Sequence, residues 1–423
     1  MEQILQELNR IHKHIERKMK KFVITIVSVV CLCSCAQAQG SWWLFPGKKD
    51  KKENVQTKKN DTTTVRSATM EAARDSIILD KDELWLDGWS DDIKVALILP
   101  FKADQKPSSN YLEMYSGALL ALRDLGSRGL KINLRVFDSA SSSYHPDRGA
   151  LDAMDLIIGP VDFNGIAETS SLCSRSRMVV SPLEPKAASL VSKGNVIQSP
   201  VGWARQVDVM VDWLAMETGR NDQVIVIRDA SIKGNGEQSA YLTSKLASSG
   251  ILYRNINSIK DLQNMKHTQY RILIASDDDA FITKEVREIG IAATIHNNIT
   301  LYSTSRFRNC VGPDVFDLYT ANTRMAATYY VDYDSEAVKK FVLEYRSIFQ
   351  REPGSFAFQG YDIMNYYLSA YSTLGRKWFK RLPEFPGTGL QSDFNFKKNV
   401  GDGRENTAVR KVIYSPDLSI SLL

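Results

Sequence analysis

Residues 94–184 alternate strand and helix in a way that leaves little choice of fold. KVALILPF (94–101) is an apolar run, rich in β-branched residues, that breaks at Pro100. A helix is expected over 110–125, with Tyr111, Met114, Tyr115, Ala118, Leu122 and Leu125 on one face. Asn110 reads as its N-cap, Glu113 stands three residues on, and Gly126 follows the end. Three more apolar runs follow: LKINLRVFD ends at Asp138, MDLIIGP at Gly159-Pro160 and RMVVSP at Ser181-Pro182. Strands that alternate with helices build a parallel sheet, and open parallel sheets bind ligands beyond the carboxyl ends of their strands. The turns at those ends therefore supply candidate ligand contacts. Asp162 and Asn164 lie after the third strand, and Ser181 and Glu184 close the fourth. Asp162 and Asn164 would serve equally well as helix caps, and Glu184 as a solvated loop charge.

A second series starts at residue 223. VIVIRDA, RILIASDDD and ITLYSTS read as strands, with helices over 237–248 and 281–289 between them. Asp229 ends the first of these strands, the run Asp277-Asp278-Asp279 follows the second, and Arg306 follows the third. Asp229 could instead cap the next helix, the Asp run could be merely solvated, and Arg306 could form a surface salt bridge. Helices are expected over 203–217, 335–350 and 361–374, and short strands over 394–420. The roughly 330 residues from Ile93 onward suffice for two lobes with separate cores. The fold expected is α/β and two-lobed, each lobe a mainly parallel sheet flanked by helices, with a hinge at the crossovers and a cleft between.

The N-terminal fifth is different. Lys18, Lys20 and Lys21 precede the apolar run 22–34, whose about 13 residues are too few to span a membrane. A basic stretch, a short apolar core and small residues after it make a secretory signal, with Met19 a plausible true start. Two cleavage readings fit. Ala36-Gln37-Ala38 suits ordinary signal peptidase and would release a soluble periplasmic protein, whereas Leu32-Cys33-Ser34-Cys35 resembles a lipobox with Cys35 as the lipidated thiol. The lysine-rich stretch that follows favours the lipid anchor. Residues 1–35 are thus read as leader and 36–92 as a polar tether, since residues 47–66 have too few apolar side chains to pay for folding.

Charge and motifs exclude several functions. Six Lys/Arg and three Asp/Glu fall in residues 1–34, so three of the five net positive charges lie there and the remainder exerts little pull on nucleic acid. The five histidines are scattered without metal-binding spacing, and no cofactor or metal is expected. Cys173 and Cys310 are expected to be free, buried thiols in different lobes. Gly234-Asn235-Gly236 opens a helix after a strand, but Ser239 stands where a dinucleotide loop needs its third glycine. With no nucleophile elbow, Walker loop or carboxylate pair with a histidine, the chain is read as non-enzymatic.

Taken in order, KVALILPF, DLIIGP, VVSP, QSPVGWARQ (198–206), VIVIRDASIKGNG (224–236) and FVLEYRSIFQREPGSFAFQGYD (341–362) resemble the type I periplasmic binding proteins, the leucine/isoleucine/valine-binding branch. The resemblance covers nearly all of 93–423. It implies three crossovers, lobe one at 93–199 and 319–380, and lobe two at 200–318 and 381–423. It also implies capture of a small solute for an ABC-type importer or, as in anchored relatives, regulation of a peptidoglycan synthase. The family's carboxylate-binding hydroxyls fall here on Phe163 and Pro185, which carry no side-chain donor, and its ammonium-binding acid falls near Ser305-Arg306. Those departures argue against an ordinary free amino acid as ligand.

Overall fold

The computed structural model describes residues 92–423 except 193, 263–266, 312–314 and 399–400. Cys35, the leader and the tether lie outside the described residues.

The chain enters the first sheet through β1 (Asp92–Leu99), whose last five residues are all buried. A strand that is apolar on both faces belongs in the middle of a parallel sheet covered on both sides, and β1 sits between β2 (Lys131–Asp138) and β3 (Leu156–Ile158). By contrast β2 alternates exposed and half-buried residues along its first six positions, as suits an edge strand with one face against the core. β4 (Val179–Ser181) and β5 (Val196–Gln198) extend the sheet on the other side. Helix α1 (Ser109–Ser127) joins β1 to β2, and α2 (Phe163–Leu172) joins β3 to β4. Ser108, not Asn110, occupies the N-cap of α1, which starts earlier than its apolar stripe suggests.

The second sheet is built the same way. α3 (Trp203–Glu217) leads into β6 (Gln223–Arg228), α4 (Glu237–Ser248) into β7 (Tyr253–Ile256), and β8 (Tyr270–Ala275) follows. α5 (Asp279–Ile295), β9 (Ile299–Thr304), α6 (Ser305–Val311) and β10 (Arg324–Ala327) complete this part of the chain. The chain then returns through α7 (Glu336–Phe349) and α8 (Ser355–Leu374) to α9 (Trp378–Arg381) on lobe one. A small hairpin, β11 (Gly387–Thr388) with β12 (Asp393–Phe394), precedes β13 (Phe396–Lys398) and β14 (Arg404–Asn406). β14 adds parallel to β5, so the first sheet runs β13-β14-β5-β4-β3-β1-β2. Finally β15 (Arg410–Tyr414) and β16 (Ile420–Leu422) add to β10, giving β16-β15-β10-β9-β8-β6-β7.

This topology corrects two of the expected lobe boundaries. Residues 324–327, assigned to lobe one from the sequence, form a strand of the second sheet, and 396–406, assigned to lobe two, form strands of the first. The number of crossovers stays at three, but the second falls after residue 327 and the last at 407–409 instead of 380, because each sheet gains strands from the tail.

The three crossovers are residues 199–202, 328–335 and 407–409, and each joins carboxyl edge to carboxyl edge. β5 and β14 both end at the carboxyl edge of the first sheet. α3 begins at the carboxyl edge of the second, β10 ends there, and β15 begins there opposite Ala327. The two carboxyl edges must therefore face each other.

α8 carries the sequence Gly360-Tyr361-Asp362, and each residue has a structural task. A Cβ on Gly360 would run into the carbonyl of Met114 in α1, and one on Gly117 would meet the carbonyl of Ala357 in α8. The two glycines let the helices cross backbone to backbone. Tyr361 donates its hydroxyl to Asp124 at 2.9 Å. Asp362, 1% exposed, accepts backbone N–H bonds from Leu390 (2.6 Å), Gln391 (2.9 Å) and Ser392 (2.9 Å). Burial pushes its carboxyl up to about 6 despite those three bonds and nearby Arg410.

Arg410 fastens the crossovers. Its guanidinium donates to the carbonyls of Tyr330 (2.5 Å), Leu390 (3.1 Å), Gly389 (2.7 Å) and Ser392 (3.3 Å), and pairs with Asp393 at 2.8 Å. Thr328 donates to Val201 O at 3.3 Å, and Asn406 to Ser199 O at 2.9 Å. Each crossover, or a residue flanking it, is thus bonded to another crossover or to the loop that Asp362 holds.

Candidate functional site

On lobe one, the candidate residues gather at the carboxyl edge but spend their polar groups on their own loops. Asp162 is exposed and caps α2, accepting Gly165 N–H at 2.8 Å. Asn164 is exposed in the first turn of α2. Ser181 is fully buried and donates its hydroxyl to Glu184 O at 3.0 Å. Glu184, half-buried, accepts Lys186 N–H at 2.8 Å and so caps a short 3₁₀ turn. These are the turn and cap roles that compete with ligand contact for Asp and Ser side chains.

Two aromatic rings border this group. Tyr111, half-buried in the first turn of α1, packs edge-on against Phe356 of α8 at 6.0 Å. Burial, with a smaller push from the Asp162 charge, raises its hydroxyl above the ordinary tyrosine value. Sequence reasoning assigned Tyr111 to the helix core and missed its place beside Asp162. Its position in the first helical turn, next to the strand-end loops, was the available signal.

On lobe two, Asp229, Asp277 and Arg306 form one connected cluster at the ends of β6, β8 and β9. Asp229 is buried and accepts Ser231 N–H at 2.9 Å and the Ser276 hydroxyl at 2.8 Å. Burial pushes its carboxyl up, but the Ser231 and Ser276 hydrogen bonds outweigh it and hold it below the ordinary aspartate value. Asp277 accepts the first free amides of α4, Gln238 N–H (3.1 Å) and Ser239 N–H (3.2 Å). Asp278 caps α5 through Ala280 N–H at 3.1 Å. Arg306 donates to Asp277 O (2.5 Å) and to the carboxylates of Asp277 (3.4 Å) and Asp279 (2.6 Å). That guanidinium, followed by the Cys310 thiol, lowers the Asp279 carboxyl. Cys310 is half-buried where the sequence suggested a buried thiol, and Cys173 is buried; both are free.

The Gly-Asn-Gly stretch also finds its reason here. A Cβ on Gly234 would run into the Asp229 carboxyl, and one on Gly236 into the Asp277 carboxyl. The glycines make room for two carboxylates, not for a pyrophosphate. Ser239, Ser276, Thr304 and Arg306 line a cavity of about 30 Å³ in lobe two, enough for a water bound to polar walls. The structure therefore brings Ser181 and Glu184 together on one lobe and Asp229, Asp277 and Arg306 together on the other.

No family model matches the sequence, and no curated protein does. Solved structures do match. A branched-chain amino acid ABC transporter protein from Rhodospirillum rubrum is 13% identical, covering 78% of this chain and 100% of that one with a TM-score of 0.53. An ABC transporter substrate-binding protein from Desulfitobacterium hafniense, in complex with Leu, is 16% identical over 78% of this chain and 100% of that one, with a TM-score of 0.45. The C-domain of LpoA from Haemophilus influenzae, a regulator of PBP1A, is 12% identical over 78% and 99%, with a TM-score of 0.46. The structural neighbours of this chain are leucine/isoleucine/valine-binding-like type I periplasmic binding proteins, and the chain has their two-lobed fold. The likeness is one of fold.

Proposed function

We propose that the chain is an exported, non-catalytic binding protein that captures a small polar solute between its two lobes and hands it to an importer of the ABC type. The observation that carries this reading is topological: three crossovers set two carboxyl edges face to face, and each edge carries loops of hydroxyl, carboxylate and guanidinium groups. Few-residue crossovers are where lobes hinge. The paired charges of Arg306, Asp277 and Asp279 suit a solute with both donor and acceptor groups. The missing hydroxyls at Phe163 and Pro185 disfavour an ordinary free amino acid. In this reading residues 1–35 are a leader, Cys35 carries lipid, and residues 36–92 tether the lobes to a membrane on the periplasmic side.

The spent polar groups of Asp162, Ser181 and Glu184 favour one second reading, an envelope scaffold that regulates a peptidoglycan synthase through its outer surface. Melting the protein against a panel of amino acids, short peptides, sugars and muropeptides separates the two. A ligand present at about 100 times its Kd stabilises by roughly 2.7 kcal/mol, a shift of several degrees. An unchanged melting temperature across the panel would turn the assignment toward the scaffold.

A further inference from the structure

The amino edge of the first sheet, opposite the crossovers, is basic in an unusual way. Three of its carboxylates, Asp155, Asp152 and Asp124, are engaged. Asp155 accepts Lys94 N–H at 2.9 Å and pairs with Arg177 at 3.8 Å. It also accepts a hydrogen bond from Tyr371, whose hydroxyl feels Arg376 and Arg177 as well. Asp152 accepts Ser174 N–H at 2.8 Å and pairs with Arg148 at 3.3 Å. Asp124, in the last turns of α1, pairs with Arg123 at 2.9 Å and accepts from Tyr361. Cations of the same edge are exposed: Lys94, Arg128, Lys131, Arg175, Arg376 and Lys377. Asp92 is an exposed carboxylate among them and the point where the chain from the N-terminal segment enters the fold, and Asp402, just before β14, pairs with Lys380 at 3.7 Å.

We infer that this edge is a docking face for the anionic headgroups of the membrane that holds the protein. The inference rests on the lipid-anchor reading of Cys35. Its charge is complementary to phosphatidylglycerol, and the chain leading to the anchor leaves from the same edge. Anchoring makes contact with the surface an intramolecular event, so a modest attraction suffices to orient the protein. Lobe one would lie against the membrane, with the crossovers and the facing carboxyl edges directed away from it.

Site-resolved lysine acylation, read by mass spectrometry on the lipidated full chain, tests this in two kinds of vesicle. One is phosphatidylethanolamine with phosphatidylglycerol, the other phosphatidylcholine alone. Lys94, Lys131 and Lys377 should react about fivefold more slowly on the anionic vesicles, with Lys233 and Lys260 of lobe two unchanged. The protection should vanish at roughly 1 M salt, where the screening length is about 3 Å. It should also vanish at Lys94 in the Arg175→Glu, Lys377→Glu double variant. Equal rates on both vesicles at all five lysines would overturn the inference. Failure of the anchor reading looks different: the chain would not float with phosphatidylcholine vesicles, whereas selective protection on anionic ones would still support the docking face.

Discussion

Replacing Asp362 with asparagine should flatten one part of the pH dependence of stability. The carboxyl is fully enclosed and its folded value lies at about 6, against about 3.9 in an unfolded chain. The folded state therefore holds a proton that the unfolded state releases between about pH 4 and 6. For such a raised group, the stabilising contribution is complete below the unfolded value and is lost as pH rises through the folded one. About two pH units at 1.36 kcal/mol each amount to roughly 3 kcal/mol lost over that window. An asparagine does not titrate and keeps one oxygen for Gln391 and Ser392 N–H, leaving Leu390 N–H unmatched. Urea unfolding at pH 4, 5, 6 and 7 measures both proteins. The advantage of wild type over Asp362→Asn should fall by about 3 kcal/mol across the range, whatever the constant offset from the lost bond. A difference that stays level with pH would refute the reasoning.

Other outcomes follow from the same contacts. Gly360→Ala should destabilise by about 3 kcal/mol in denaturant unfolding, because its methyl meets the Met114 carbonyl, an immovable backbone atom. Arg410→Ala should cost about 3–5 kcal/mol, since it leaves the Asp393 carboxylate and four carbonyls without their donor. Hydrogen exchange should then accelerate first at residues 389–393. Cys35→Ala should move the protein from the membrane fraction to the soluble fraction of its host, and incorporation of labelled fatty acid should cease.

Long, strongly patterned elements were legible in the sequence. The helices at Trp203–Glu217 and Glu237–Ser248 fall on the expected residues, because apolar spacing and a glycine before each first turn mark them. The strand runs that end at Leu99, Ile158 and Ser181 were legible because buried parallel strands must be apolar, and the one ending at Asp138 because its apolar residues alternate. What could not be read were features decided by distant partners. β7 carries Tyr-Arg-Asn-Ile, a weakly apolar edge strand that exists because β6 offers it a partner. α8 begins six residues before the expected start, because Gly360, which lowers intrinsic helicity, is needed at the crossing with α1. The alternate use of tail strands by both sheets leaves no local trace. At the candidate site, the residue types at strand ends were legible. Their hydrogen-bond partners were not, since capping and ligand contact demand the same side chains.

The central claim is that the facing edges close on a small molecule. Native mass spectrometry of protein purified from its own host tests it most directly. A mass above that of the chain, lost under denaturing conditions as a discrete small species, is the result expected. Identical native and denatured masses in repeated preparations would contradict it.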